Sequence, residues 1–97
     1  MLMSVQIHTI KESNGTVVQL QGKVDATSAP SVEQALVGVI EKGEKKLVLD
    51  CASLDFISSA GLRSLLLAVK KMKAAGGSIS LAALQPHVKE GFRSEET

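Results

Sequence analysis

Two adjacent serines, Ser58 and Ser59, are the residues whose type and position could support chemistry in this chain. An apolar run at residues 47–49 precedes them, and a helical pattern of apolar residues follows them. That pattern consists of Leu62, Leu65, Leu66, Val69 and Met72. A helix N-terminus has unpaired backbone N–H groups and a partial positive charge. A serine there can cap the helix, or it can carry a phosphate that the helix end stabilises.

Neither interpretation accounts alone for both serines. Capping is the commonest arrangement for a serine at a helix start, but one serine is enough to cap one helix. The second serine is then left at the exposed edge of the turn. Gly61 follows two residues later, and because glycine has no side chain, another group can come close to the backbone at this point. The residues alone therefore leave capping and phosphorylation as alternatives.

Other kinds of chemistry have little support in the sequence. His8 and His87 are far apart, and neither lies in a metal-ligand spacing. Ser59 does not lie in a G-x-S-x-G motif, and the glycines form neither a P-loop nor a G-x-G-x-x-G motif. We therefore expect a protein that is not an enzyme, with no cofactor and no metal.

The single cysteine and a basic cluster have simple structural interpretations. Cys51 excludes a disulfide within the chain and follows an apolar run, so we expect a small buried residue rather than a reactive thiol. Lys70, Lys71 and Lys73 lie near the end of the second predicted helix, where cations are favourable. We interpret them as a solvated face rather than an anion site. Leu67 lies off the main apolar stripe and fits either a partner surface or a wide packing stripe.

The bulk composition narrows the classes of partner. The chain has 97 residues, of which 44% are hydrophobic and 22% charged, as expected for one small globular domain. Its formal net charge of +1 gives no general attraction to DNA or to anionic membranes, and it lacks Tyr and Trp as base-stacking platforms. The sequence contains neither a signal-peptide pattern nor an apolar run of the ~20 residues that span a membrane. We expect a cytoplasmic protein, monomeric or weakly dimeric, with no nucleic-acid or membrane partner.

Alternating residues predict a β-hairpin at the N-terminus. Residues 5–8 and 18–24 alternate between apolar and polar types, and two β-branched residues, Thr9 and Ile10, extend the first run. Asn14-Gly15 between the two runs is a strong turn signal. Residues 47–51 predict a buried strand, and their successive apolar side chains are typical of a strand covered on both faces. A last strand is predicted at residues 78–82.

Helical patterns separate these strands. Capping types at Asp25, Thr27 and Ser28, followed by Pro30, predict a first helix that ends near Gly43. A second helix is predicted from about Ala60 to Ala75, and a last short one begins at Pro86 and contains Val88 and Phe92. The order ββαβαβα predicts a single α/β domain over residues 1–97. We expect a four-stranded, mostly parallel sheet with an N-terminal hairpin and helices on one face.

Residues 54–63, Leu-Asp-Phe-Ile-Ser-Ser-Ala-Gly-Leu-Arg, resemble the signature loop of the STAS-domain anti-sigma factor antagonists. Residues 22–25, Gly-Lys-Val-Asp, resemble the G-x-(L/V)-D element that these proteins place beside that loop. Residues 71–81 also fit the family's helix-then-strand pattern, so the resemblance covers roughly residues 4–92.

The resemblance implies a partner switch. The unphosphorylated protein would bind an anti-sigma factor that is also a serine kinase of the histidine-kinase-like ATPase type, and so release the sigma factor. Phosphorylation would end that complex, and a PP2C-type phosphatase would reverse it. The phosphorylated serine of the family falls on Ser59, and the nearby acidic position falls on Asp25. The implied partner-binding residues are Asp25, Ser58, Ser59, Ala60, Gly61, Leu62 and Arg63.

The chain departs from the family pattern in two places. Ser58 stands where many relatives carry an aspartate, so it is a rival phosphate acceptor. The chain also stops soon after Phe92, where relatives usually continue, so we expect a C-terminus that is naturally short or truncated. Three alternative functions remain at this point: a scaffold subunit of a signalling assembly, a partner switch that regulates a non-sigma output such as secretion, or an enzyme or small-molecule sensor of another class.

Overall fold

An N-terminal hairpin begins the fold, as the Asn14-Gly15 pair predicts. Strand β1 (Val5–Glu12) pairs antiparallel with β2 (Gly15–Val24). This computed structural model describes residues 5–86, 88 and 89. The predictions that concern His87, Phe92 and the two ends of the chain lie outside the described residues.

The described strands form one four-stranded sheet in the order β1-β2-β3-β4. Helix α1 (Ala29–Glu41) connects β2 to β3 (Lys46–Ile57), and helix α2 (Ser59–Ala74) connects β3 to β4 (Ser78–Ala82). Both of these crossovers join parallel neighbours. The prediction of a mostly parallel sheet with an N-terminal hairpin is therefore confirmed.

The helices cover one face of the sheet. Inward-facing aliphatic side chains from β2 and β3 form the centre of the core, together with residues from both helices. The largest fully buried side chains include Leu20, Leu36, Leu47, Leu49, Leu54 and Leu65. The expectation that β3 is covered on both faces is wrong, since Val48 points away from the helices and is 37% exposed. The apolar run at residues 47–49 reflects an exposed valine between two core leucines, not a second covered face.

Strand β3 is longer than the sequence predicts and runs to Ile57 rather than ending at Cys51. Its register with β2 shifts twice, between Gln19 and Gln21 and between Gly22 and Lys23, with an extra β3 residue at each shift. Each bulge breaks the period-two alternation of side chains. The second half of β3 therefore carries no regular alternation by which a strand can be recognised.

Both helices lie close to their predicted positions. Pro30 occupies the first turn of α1, and Gly43 follows its C-terminal cap with a φ of +91°, a conformation that favours glycine. Helix α2 begins at Ser59, one residue earlier than predicted. Helical conformation returns at Pro86, and Val88 is buried against the core.

Candidate functional site

The carboxyl ends of β2 and β3 meet the start of α2 at one edge of the sheet. Ser58 alone separates β3 from α2, so the expected loop between strand and helix is a single residue. The backbone N–H of Ser58 donates to the carbonyl oxygen of Val24, over 2.8 Å. This bond continues the β2–β3 ladder beyond its last pair, Val24 and Ile57. It holds the first serine beside the end of β2.

Ser58 caps α2. Its backbone is extended, with φ −81° and ψ 171°, and its Oγ accepts a hydrogen bond from the backbone N–H of Gly61 at 3.1 Å. Its carbonyl oxygen accepts the first helical bond from Leu62 at 2.9 Å. The side chain is half-buried. The capping interpretation therefore holds for Ser58.

Ser59 is the first residue of α2, and its side chain is exposed. The first turn of the helix contains no acidic residue. The partial positive charge of the helix N-terminus therefore meets solvent beside an accessible hydroxyl group, and no carboxylate in the first turn of α2 offsets it. A negatively charged group on this hydroxyl would be electrostatically favourable.

Gly61 is buried against the end of β2. A Cβ atom at this position would lie 2.7 Å from Cγ1 of Val24, 2.8 Å from Cγ1 of Ile57 and 3.2 Å from the Val24 carbonyl oxygen. The close approach expected at this glycine therefore exists, and the approaching atoms belong to β2 and β3. Because no side chain stands between them, α2 begins in direct contact with β2.

Asp25 lies in the turn that follows β2, one residue beyond the carbonyl that holds Ser58. Its Oδ1 accepts the backbone N–H groups of Thr27 and Ser28, each at 3.0 Å. The Oγ of Ser28 in turn accepts the backbone N–H of Asp25 at 3.0 Å. The two turns are thus adjacent in the sheet, as expected from the pairing of β2 with β3.

The remaining residues of the implied partner-binding set differ in exposure. Arg63 is exposed on α2, and Ala60 is half-buried. Leu62 is only 4% exposed and belongs to the core, as does the backbone of Gly61. The accessible part of the set therefore consists of Ser59 and Arg63, with half-buried Asp25, Ser58 and Ala60 around them.

Besides Val48, two exposed apolar side chains lie on the strand and the helix that flank Ser58. Phe56, on β3, is 45% exposed, and Leu67, on α2, is 48% exposed. The exposure of Leu67 excludes the alternative in which it packs on the sheet. Phe56 was not identified from the sequence, because the second bulge displaces it from the alternation that would have marked it as outward-facing.

The other candidates have structural explanations. Cys51 is buried, and burial together with the negative charge of Asp50 raises the pKa of its thiol to about 11, so it stays protonated at neutral pH. His8 is exposed on β1, and the three lysines near the end of α2 are exposed as expected. No cluster of three metal-ligating side chains occurs among the described residues. No helix in the part of the chain that the structure describes is long and apolar enough to cross a membrane.

The family model of the STAS domain matches residues 5–95. The chain belongs to the STAS domain family. A putative anti-sigma factor antagonist of Bordetella bronchiseptica, BtrV, is 41% identical over 85 residues, which are 87% of this chain and 73% of that protein. The resemblance of the serine-containing segment to STAS-domain anti-sigma factor antagonists is thus confirmed.

Solved structures of STAS proteins agree with the fold. An anti-sigma factor antagonist from Mycobacterium paratuberculosis is 25% identical, with a TM-score of 0.85 over 96% of this chain and 79% of that one. The unphosphorylated form of the anti-sigma factor antagonist SpoIIAA is 17% identical, with a TM-score of 0.81 over 94% and 81%. The phosphorylated form of SpoIIAA, a Bacillus cell fate determinant, is 18% identical, with a TM-score of 0.75 over 94% and 82%.

Proposed function

We propose that this STAS domain is an anti-sigma factor antagonist and works as a partner switch controlled at Ser59. In its unphosphorylated form it binds an anti-sigma factor that is also a serine kinase of the histidine-kinase-like ATPase type. Binding releases the sigma factor, phosphorylation of Ser59 ends the complex, and a PP2C-type phosphatase restores binding. The protein acts as a substrate and binding partner in this cycle, not as an enzyme, and the cycle takes place in the cytoplasm.

The division of roles between the two serines carries the proposal. The Oγ of Ser58 is occupied by the Gly61 N–H, whereas Ser59 is exposed one residue later, at the first position of the helix. A kinase can reach the Ser59 hydroxyl without breaking the cap. A kinase that modified Ser58 would have to reach a half-buried hydroxyl group and displace its hydrogen bond from the Gly61 N–H, so Ser59 is the better acceptor.

Accessibility also defines the surface that meets the kinase. Ser59 and Arg63 contact the partner directly, and Asp25, Ser58 and Ala60 contribute at its edge. Gly61 and Leu62 act indirectly, because they hold the start of α2 against β2 and the core.

The charge of a phosphate explains how binding would end. A phosphoserine carries about −1.5 to −2 charges at pH 7. At the start of α2 this charge is stabilised by the helix, so the fold should persist. In a tight interface the same charge would have to be desolvated or paired, which can cost several kcal/mol and reduce affinity by roughly 100-fold or more.

The first experiment follows phosphate incorporation. The purified protein is incubated with ATP and lysate of its source cells, beside Ser59→Ala and Ser58→Ala variants, and its intact mass is measured. We expect one added phosphate in the wild type and in Ser58→Ala, and none in Ser59→Ala. Loss of the phosphate in Ser58→Ala alone would move the acceptor to Ser58.

A complete absence of phosphate would contradict the switch, provided that a kinase of this type is shown to be active in the same lysate. As a second measurement, the purified kinase is titrated with unmodified protein and with protein that carries phosphoserine at residue 59. Equal affinity of the two forms would show that phosphorylation does not control the complex.

A further inference from the structure

Ser59 and Arg63 lie one helical turn apart on the exposed surface of α2. Their spacing is i, i+4, which places two side chains on the same face of a helix. Both are exposed, and the ion pair recorded among the described residues joins Lys11 and Glu44 instead. The Arg63 guanidinium is therefore available to a group attached to Ser59.

The distribution of charge singles out Arg63 among the cations of α2. The helix carries four basic residues and no acidic one: Arg63, Lys70, Lys71 and Lys73. Lys70 lies eleven residues after Ser59, about 16 Å along the helix axis, which exceeds the Debye length of about 8–10 Å under physiological conditions. Arg63 lies only about 6 Å along the axis from Ser59.

We propose that Arg63 is the internal partner of a phosphate on Ser59. The guanidinium group offers several N–H donors in a planar fork that can bind two phosphate oxygens together. An anionic side chain four residues before a cationic one is also the favourable orientation on a helix. The inference depends on the proposed function only for the statement that Ser59 is phosphorylated in the cell.

The pairing gives the switch a second component. In the unmodified protein Arg63 presents a positive charge on the surface proposed to meet the kinase. In the phosphorylated protein that charge is engaged by the phosphate. Phosphorylation therefore changes the surface at two residues instead of one, and the new charge is held against the helix.

The test installs phosphoserine at residue 59 during translation, so that it needs no kinase. The second pKa of the phosphate is then measured by ³¹P NMR titration in the wild type and in the Arg63→Gln, Arg63→Lys, Lys70→Gln and Lys23→Gln variants. An adjacent cation stabilises the dianion and lowers this pKa. We expect Arg63→Gln to raise it by about 0.3 units or more, and Arg63→Lys to recover part of the difference.

Lys70→Gln is the matched control, because it removes the same charge from an exposed position of the same helix. We expect it to change the phosphate pKa by less than about 0.1 units. Equal shifts in Arg63→Gln and Lys70→Gln would overturn the pairing and leave only a general effect of net charge. A larger pKa shift in Lys23→Gln than in Arg63→Gln would also overturn the pairing with Arg63. The partner of the phosphate would then be Lys23, which is exposed near the end of β2.

The two proposals can fail separately. If the phosphate pKa depends on Arg63 but no cellular kinase modifies Ser59, the partner switch fails and the pairing stands as a property of the surface. If a kinase modifies Ser59 but the phosphate pKa does not depend on Arg63, the switch stands and the pairing fails. Thermal melts of the five phosphorylated proteins check that each variant is folded, and we expect them to coincide within about 2 °C because all three substituted sites are exposed.

Discussion

The two helices of this domain begin at the same edge of the sheet, α1 after the four-residue turn 25–28 that follows β2 and α2 after the single residue that follows β3, and their starts are built differently. Helix α1 begins after Ser28, which is 4% exposed, and helix α2 begins after Ser58, which is half-buried. Ser28 makes no side-chain cap to α1, whereas Ser58 caps α2 through Gly61.

The hydrogen bonds of Ser28 point back toward β2. Its Oγ accepts the N–H of Asp25, and its hydroxyl lies 3.1 Å from the Asp25 carboxylate and 3.3 Å from the Lys23 carbonyl oxygen. At the start of α2, the Ser58 hydroxyl group accepts a hydrogen bond from Gly61, which lies later in the chain, and the second serine, Ser59, is exposed to solvent. A serine at a helix start is therefore not a site by itself, and the α2 start differs because Ser59 is accessible and not needed for the cap.

The two helices should differ most in how a glycine-to-alanine substitution changes the free energy of unfolding. Gly61→Ala should lower the free energy of unfolding by about 1–3 kcal/mol, since the new Cβ would overlap Val24 and Ile57. Gly38→Ala on α1, where nothing lies within 4 Å of a new Cβ, should raise it by about 0.4–1 kcal/mol. Urea unfolding of both variants measures the difference. Equal effects would show that α2 is not in tight contact with β2.

Substitution of the buried Ser28 should have the next largest effect on the free energy of unfolding. Ser28→Ala removes a buried hydroxyl group that accepts the Asp25 N–H in a half-buried turn, which should cost about 1–3 kcal/mol of unfolding free energy. Thr27→Ala, at an exposed neighbouring position, should stay within about 0.5 kcal/mol of the wild type. Chemical denaturation of the two variants separates these outcomes. A neutral Ser28→Ala would mean that the α1 start does not need its serine.

Loss of the α2 cap should have a smaller effect. Ser58→Ala should reduce the free energy of unfolding by about 1 kcal/mol, because the Gly61 N–H loses its side-chain acceptor. Ser58→Asp should retain most of the stability, since aspartate also caps helices well. Denaturant midpoints of the two variants provide the check. If alanine and aspartate are equally destabilising, the hydroxyl has a role other than capping.

Changes at Ser59 should affect stability least. Ser59→Ala should fall within about 0.5 kcal/mol of the wild type, because the side chain is exposed. Phosphoserine at this position should leave stability unchanged or raise it by about 0.3–1 kcal/mol, through the helix dipole. Thermal melts of the phosphorylated and plain proteins measure this. A large loss of stability on phosphorylation would contradict a switch that acts only at the surface.

Much of the architecture was predictable from local patterns. The hairpin predicted from Asn14-Gly15, the apolar stripe of each helix and the Pro30 and Gly43 signals all depend on short-range features, and all appear in the structure, with residues 13 and 14 forming the hairpin turn. The resemblance of residues 54–63 to the STAS signature also identified the family. These features lie within a few residues of one another in the sequence, so no knowledge of tertiary contacts is needed to recognise them.

The true length of β3 was not predictable in this way. Its second half pairs with β2 across two bulges, and the bulges follow from how two distant strands fit together. They place Phe56 on the surface and bring Ile57 beside Val24. The contact that requires glycine at residue 61 likewise joins α2 to β2, across more than thirty residues of sequence.

The sequence by itself determined that two serines stand at the start of a helix in a STAS domain. Only the tertiary structure decided which one caps the helix and which one is exposed. The physical reason is that the cap depends on where the chain leaves the sheet. The bond from the Ser58 N–H to the Val24 carbonyl fixes that point, turns the Ser58 hydroxyl toward Gly61 and leaves Ser59 facing solvent.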